Sequence, residues 1–374
     1  MSPDSIGSSR AAPAPAQRFR WFLAPALALG ALLASLFFYS PRLWAFMAPM
    51  PGSTYWDRGL QFMRQCDSPF GTPLQDAGLV WRLAPMALAK LLGLHGSHVF
   101  LVPWIGVPVL LTLCAWLALK RTGDVPLAAL TALLVGTTQA VLTVTGWLGM
   151  NDAWNASALL VIAFVPSWPG LVLAALLGPW IDERFILALP LALWVRHRAL
   201  GAGARMGAVA ALSLGSVALY TVLRLGDFFH LTGAASNSYW LYIRGHGFDW
   251  WPWTSLGWFM GLRAAWILVA IAIGGRFRRD DLPAMSWPVL FAAAPLLTIN
   301  CLAADTGRAP TMLLPLVLLG LEQTITLWGL DRARRLLVGL VVANLILPAM
   351  HVTYRYGDII NMLPMELIRL WRHG

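Results

Sequence analysis

Val99 to Leu119 reads VFLVPWIGVPVLLTLCAWLAL, and Lys120 and Arg121 follow at once. A charge-free run of this length rises about 30 Å as an α-helix, the thickness of a bilayer's hydrocarbon core. Comparable runs occur at Trp21 to Tyr39, Val125 to Thr145, Met206 to Leu223, Ser255 to Gly274, Trp287 to Ala303, Ala309 to Trp328 and Leu336 to Val352. A less regular apolar region extends from Asn155 to Val195. The fold class expected is therefore all-α: a polytopic transmembrane helical bundle of about 10 spans, short or broken helices included.

Composition agrees. Of 374 residues, 58% are hydrophobic and 12% charged, against roughly 25% charged in an ordinary soluble domain. A globule of this size has too little interior to hide so much apolar side chain, whereas a bilayer solvates it directly. The net charge of +10 lies in short clusters between apolar runs, without a basic face or finger motif, so no nucleic-acid partner is expected. Cys66, Cys114 and Cys301 have no CxxC or Cys/His spacing and are read as unpaired thiols, although a Cys66–Cys301 bridge is conceivable if both lie outside.

Residues 1–17, rich in Ser, Pro and Ala, read as a disordered cytoplasmic tail, and 18–374 as one membrane domain. Arg18 and Arg20 precede a first apolar run too long for a signal-peptide core, so it is read as a retained helix. Lys/Arg clusters in short loops stay cytoplasmic. Placing Arg18/Arg20, Lys120/Arg121, Arg196/Arg198/Arg205, Arg276/Arg278/Arg279 and Arg332/Arg334/Arg335 inside gives strongly basic inner loops and puts most carboxylates outside. The expected location is a bacterial inner membrane, N-terminus in the cytoplasm, with an amphipathic tail outside.

Two regions resist this scheme. Leu79 to Leu94 carries Arg82 and Lys90, and a full span there would break the parity between Arg20 and Lys120, so it is expected as an interfacial helix in the first outer loop. Asn155 to Leu177 reads either as one span, placing Asp182-Glu183-Arg184 inside, or as two short helices joined at Pro166-Ser167-Trp168-Pro169-Gly170, placing them outside.

Several ionisable residues are chemical candidates, each with a plain alternative. Asp57, in Tyr55-Trp56-Asp57-Arg58, could take a proton as a general base, or pair with Arg58 or Arg64 in a solvated loop. Asp67 and Asp76 share that loop. Asp152, Asp182 and Glu183 could hold a divalent metal against a pyrophosphate, with Arg184 clamping phosphate oxygens; alternatively Asp182 caps the helix that follows. Arg308 could bind an anionic lipid phosphate with Asp305 steadying it, or the two form a local ion pair in a turn. Arg263 stands mid-span, where it meets lipid phosphate or pairs with Glu322. The aromatic loop from Tyr239 to Trp253 fits sugar stacking but fits a membrane-interface belt better.

In order, the first helix, the outer loop with Asp57, the interfacial Leu79 to Leu94, the short helices around Asp182-Glu183-Arg184, and Asp305 to Arg308 resemble the GT-C class of integral membrane glycosyltransferases. The resemblance is loose and spans most of the chain. It implies transfer of a sugar from a polyprenyl-phosphate donor at the outer face, with Asp57 as base, Asp152 or the Asp182/Glu183 pair supporting the site, and Arg184 and Arg308 as phosphate ligands; Arg82, Arg263 and Asp305 are further substrate-binding candidates. It also favours two short helices at Asn155 to Leu177. No metal ligand set is implied, although a divalent metal fits the acids. The first loop lacks the paired adjacent acids common in that class, and no large soluble domain follows the last span. The alternatives are a lipid or small-molecule transporter or flippase, for which no inverted repeat is visible, and a non-catalytic membrane assembly subunit.

Overall fold

The computed structural model describes residues 22–43, 54–70, 80–201, 205–226, 251–274, 289–294, 296–297, 306–353 and 357–373. They are helical apart from one small hairpin. In chain order the helices are α1 (Leu23–Phe38), α2 (Thr54–Asp67), α3 (Leu83–Leu91), α4 (Leu101–Thr122), α5 (Val125–Gly136), α6 (Gln139–Gly146), α7 (Asp152–Phe164), α8 (Trp168–Ile181), α9 (Arg184–Leu200), α10 (Met206–Leu225), α11 (Trp251–Leu262), α12 (Trp266–Gly274), α13 (Leu314–Trp328), α14 (Leu330–Ile346) and α15 (Leu363–His373). A 3₁₀ segment, Thr306–Leu313, leads into α13. Strands β1 (Ala349–Val352) and β2 (Gly357–Ile360) pair antiparallel, His351 opposite Asp358.

Among the described residues four helices are long and apolar enough to cross a bilayer: Gly96–Thr122, Met206–Leu225, Pro252–Gly274 and Thr306–Trp328. They identify a membrane protein. The bent pair α5 and α6 makes a fifth, while α1, α7 and α8 are apolar but shorter, so this count stays below the ten expected. Most of the expected span Trp287 to Ala303 and the tail 1–17 lie outside the described residues.

Local chemistry explains the breaks. Helix α4 ends where Gly123 turns left-handed (φ 67°) and its N–H returns to Leu119 O at 2.8 Å. Asp124 then caps α5, accepting from Leu127 N at 2.7 Å. The expected span Val125 to Thr145 is broken: Thr137 and Thr138 donate their hydroxyls to Leu134 O and Val135 O, both at 2.7 Å, and the chain turns by 54° into α6. The expected last span, Leu336 to Val352, is also corrected. Its helix takes in Arg332, Arg334 and Arg335 and ends at Ile346, because Pro348 cannot continue it, and the hairpin follows.

The choice left open at Pro166 is decided for two helices. Helix α7 stops at Phe164, Pro169 opens α8, and the two pack against each other. Arg196 of α9 secures that turn by donating from Nη1 to Ile162 O and Val165 O, both at 3.0 Å, so a cation meets the orphan carbonyls of a helix C-terminus.

Arg263 plays the same part at another helix end, and its expected pairing with Glu322 is not made. It is fully buried at φ 54°, between α11 and α12, and donates to Tyr39 Oη (2.8 Å), Thr137 O (3.3 Å), Asn344 O and Leu347 O. The last two are carbonyls at the end of α14, where the helix dipole favours a cation. Glu322 is instead bonded to Arg121 at 3.1 Å. Arg263 therefore ties α1, the α5–α6 bend and α14 together.

Between apolar helices in lipid, close backbone approach supplies much of the packing. Gly257 and Gly261, four residues apart on α11, give the 3₁₀ segment that approach. A Cβ on Gly257 would lie 2.1 Å from Thr306 Oγ1, and one on Gly261 2.6 Å from Pro310 Cγ.

Candidate functional site

The α7–α8 hairpin returns the chain to its starting face, so Asp152, first residue of α7, and Asp182, just after α8, come together. Both are fully buried. Arg184 bridges them: Nη2 lies 2.8 Å from Asp152 Oδ1 and 2.7 Å from Asp182 Oδ2, and Nε donates to Asp182 Oδ1 at 2.8 Å. Arg308 approaches Asp152 from the 3₁₀ segment, with Nε donating to Oδ1 and Oδ2 at 3.0 and 3.1 Å and Nη2 to Oδ2 at 2.8 Å. Arg82, at the start of α3, binds Glu183 through Nε (3.1 Å) and Nη2 (2.8 Å), and its Nη1 is 3.4 Å from Asp182.

Three cations and three anions thus converge from four segments of the chain. The side chains of Asp182 and Asp152 have no exposure, whereas Glu183 keeps 26% and forms the open edge. Burial alone would raise the pKa of Asp182, but the guanidiniums of Arg184 and Arg82 overcome it and hold the carboxyl below its usual range. Glu183 is also lowered: burial opposes it most strongly, and the charge and hydrogen bond of Arg82 together with the charge of Arg224 outweigh it. A carboxylate with so low a proton affinity is a poor base. Asp182 and Glu183 are placed to orient the arginines through their hydrogen bonds. The capping alternative for Asp182 also holds, since its Oδ1 accepts from Arg184 N at 3.0 Å.

The remaining candidates fall as follows. Asp57 lies in the first turn of α2. Its side chain and Asp305 lie outside the described residues, as do Asp76 and the loop from Tyr239 to Trp250. Helix α2 abuts the segment leading into Asp152: a Cβ on Gly59 would be 2.8 Å from Leu148 Cδ1, and Phe62 fills the space beside Gly149. Backbone geometry thus sets α2, the helix that bears Asp57, against the Leu148-Gly149 segment. Arg308 is held by Asp152, across 156 positions of sequence; the neighbour expected to steady it, Asp305, lies outside the described residues. Lys90 is exposed on α3 and takes no part.

Among the described residues no group of three or more His, Cys, Asp or Glu side chains is placed to hold a metal. The oxygens of Asp152 and Asp182 accept from guanidinium N–H groups, so a divalent cation there would have to displace an arginine. A shallow crevice lined by Leu117, Phe164 and Leu321 lies at the far end of α7, away from this centre.

Sequence reasoning passed over Arg224. It closes α10, donates from Nη1 to Tyr220 Oη at 2.8 Å, and stands close enough to Glu183 to stabilise its charge. The i,i+4 spacing of Tyr220 and Arg224 at the end of an apolar helix was the available signal. Comparisons with protein families, curated proteins and solved structures return no match.

Proposed function

We propose that this charged centre receives the phosphate end of a polyprenyl-phosphate-linked sugar, and that the protein transfers the sugar to an acceptor hydroxyl at the outer face of a bacterial inner membrane, as GT-C enzymes do. One observation carries the reading. Arg82, Arg184 and Arg308 are drawn from remote segments to one face of an apolar bundle, where buried charge is costly and marks function by default. The segment leading into Asp152 abuts the helix bearing Asp57.

In the reaction the acceptor oxygen attacks the anomeric carbon, the bond from that carbon to the phosphate oxygen breaks, and the phosphate leaves with the electron pair. Asp57 takes the acceptor's proton. Arg184 and Arg308, pre-oriented by Asp152 and Asp182, stabilise the departing phosphate through charge-assisted hydrogen bonds. Arg82 and Glu183 form the rim. The test is Asp57→Asn in purified protein: sugar transfer is lost while the thermal transition is kept. Transfer at the normal rate would remove Asp57 from the base role.

The 54° bend between α5 and α6 favours a second reading as a transporter, since broken helices line transport paths. Flux of the lipid-linked sugar across proteoliposomes without turnover would select it.

A further inference from the structure

One flank of the charged centre is an apolar helix left largely uncovered by the protein. Helix α10 is the most exposed of the candidate spans, with only 22% of its apolar window buried in the protein. Leu219, Val222 and Leu225 stand 54%, 59% and 82% exposed along it. At the end of this helix Tyr220 is buried against Trp180 (ring centroids 5.1 Å apart) and Trp81 (6.3 Å). Its hydroxyl accepts from Arg224 at 2.8 Å. Arg224 is partly exposed, and among the described residues that hydroxyl is its hydrogen-bond partner. A guanidinium carries five N–H donors, so most of its capacity remains for a ligand. The arginines deeper in the centre, by contrast, already bind carboxylates.

We infer that Arg224, set by Tyr220 on the Trp81–Trp180 platform, is the entry site for the phosphate of a membrane-anchored polyprenyl lipid, whose chain lies along the exposed face of α10 beside Leu219, Val222 and Leu225. A planar fork of donors suits a phosphate's oxygens, and the ring wall fixes where that fork sits. The apolar flank immediately below supplies what the chain needs and a soluble phosphate does not. Glu183, at the rim between Arg224 and Arg82, then separates the entry position from the deeper one. The inference rests on the proposed transfer reading for its substrate class, but its geometry concerns binding alone.

The experiment is binding of polyprenyl monophosphate to the full chain in phosphatidylcholine nanodiscs, read by native mass spectrometry, with inorganic phosphate as competitor and sugar transfer assayed separately. Arg224→Gln is expected to lower occupancy at least ten-fold, Arg224→Lys to restore part of it, and Tyr220→Phe to cost a few-fold by freeing the guanidinium. Inorganic phosphate at equal concentration is expected not to compete. Unchanged occupancy in Arg224→Gln, or full competition by inorganic phosphate, overturns the entry site and leaves the transfer proposal standing. Arg224-dependent binding without any transfer by the wild-type protein supports the entry site and defeats the transfer proposal. If Arg224→Gln loses its cooperative thermal transition, the Lys and Phe variants decide: wild-type occupancy in both contradicts the inference.

Discussion

Asp152 accepts hydrogen bonds from Nε and Nη2 of Arg308 although 156 positions separate them, and the same carboxylate holds Arg184. This contact joins the start of α7 to the segment before α13, and it sets the cations of the centre in place. Asp152→Asn leaves two buried guanidiniums short of charge, and removing one partner of a buried pair costs about 3–5 kcal/mol. The thermal midpoint should fall steeply, and substituting Arg308→Met in the same chain should recover part of the loss. A double variant as unstable as the sum of the two singles would show that the residues do not act as a pair.

The two-helix course of α7 and α8 puts Asp152 and Glu183 at one end of the bundle, and the proposed outward placement of that end predicts a labelling pattern. Cysteines at Glu183 and Asp67, whose native side chains are 26% and 55% exposed, should both react with an impermeant thiol reagent added outside intact cells. A cysteine at the exposed Arg198, at the other end of α9, should be protected. Reaction at Arg198 and protection at Glu183 would invert the topology.

Close approach on α11 predicts a steric effect. An alanine at Gly261 has Pro310 Cγ 2.6 Å and Gly307 O 2.7 Å from its Cβ, so the 3₁₀ segment must move. Overpacking of this kind costs about 1–3 kcal/mol. Because that segment carries Arg308, transfer should fall further than stability accounts for. Gly215, with open space around it, serves as the control and should tolerate alanine.

At the opposite end of the bundle, Asp124 is lowered from 3.8, chiefly by its hydrogen bond from Arg334, against burial that would raise it. A carboxyl whose pKa is lower folded than unfolded contributes fully above the unfolded value and loses that contribution as pH falls through the folded one. Acid titration of the thermal midpoint should therefore steepen below about pH 4, and Asp124→Asn should flatten that limb. An identical acid limb in the variant would remove Asp124 from the linkage.

Arg263 is predicted to be structural. Arg263→Gln uncaps the carbonyls of Asn344 and Leu347 and frees the Tyr39 hydroxyl, which should lower the thermal midpoint strongly. Tyr39→Phe removes a single hydrogen-bonding group and should cost about 1 kcal/mol. An intact midpoint in Arg263→Gln would reopen a role for Arg263 in ligand binding.

How far the sequence carried these conclusions differs by residue type. Apolar runs ended by Lys/Arg, such as Val99 to Leu119, place α4 and α10 closely, because bilayer thickness sets a length that hydropathy reads directly. Broken helices were harder. The Thr137-Thr138 hydroxyls that help bend α5 into α6 leave no apolar gap in the sequence, and Arg263 reaches the bend from 126 positions away. Acids and arginines of the centre were visible as isolated candidates, but their partners were not. The sequence offered Glu322, a charge in a neighbouring helix, for Arg263, whereas the fold supplied helix carbonyls, and nothing in the sequence pointed from Arg308 to Asp152. Pairing between remote segments is set by helix packing, to which one-dimensional spacing is blind.

The most direct test is transfer of radiolabelled sugar from a polyprenyl-phosphate donor by the purified protein in proteoliposomes, comparing wild type with Arg184→Gln and Arg308→Gln. The account predicts turnover by the wild type and a loss of at least about a hundred-fold in each variant that retains a cooperative thermal transition. Full turnover by either folded variant, or none by the wild type while it binds the donor, would contradict it.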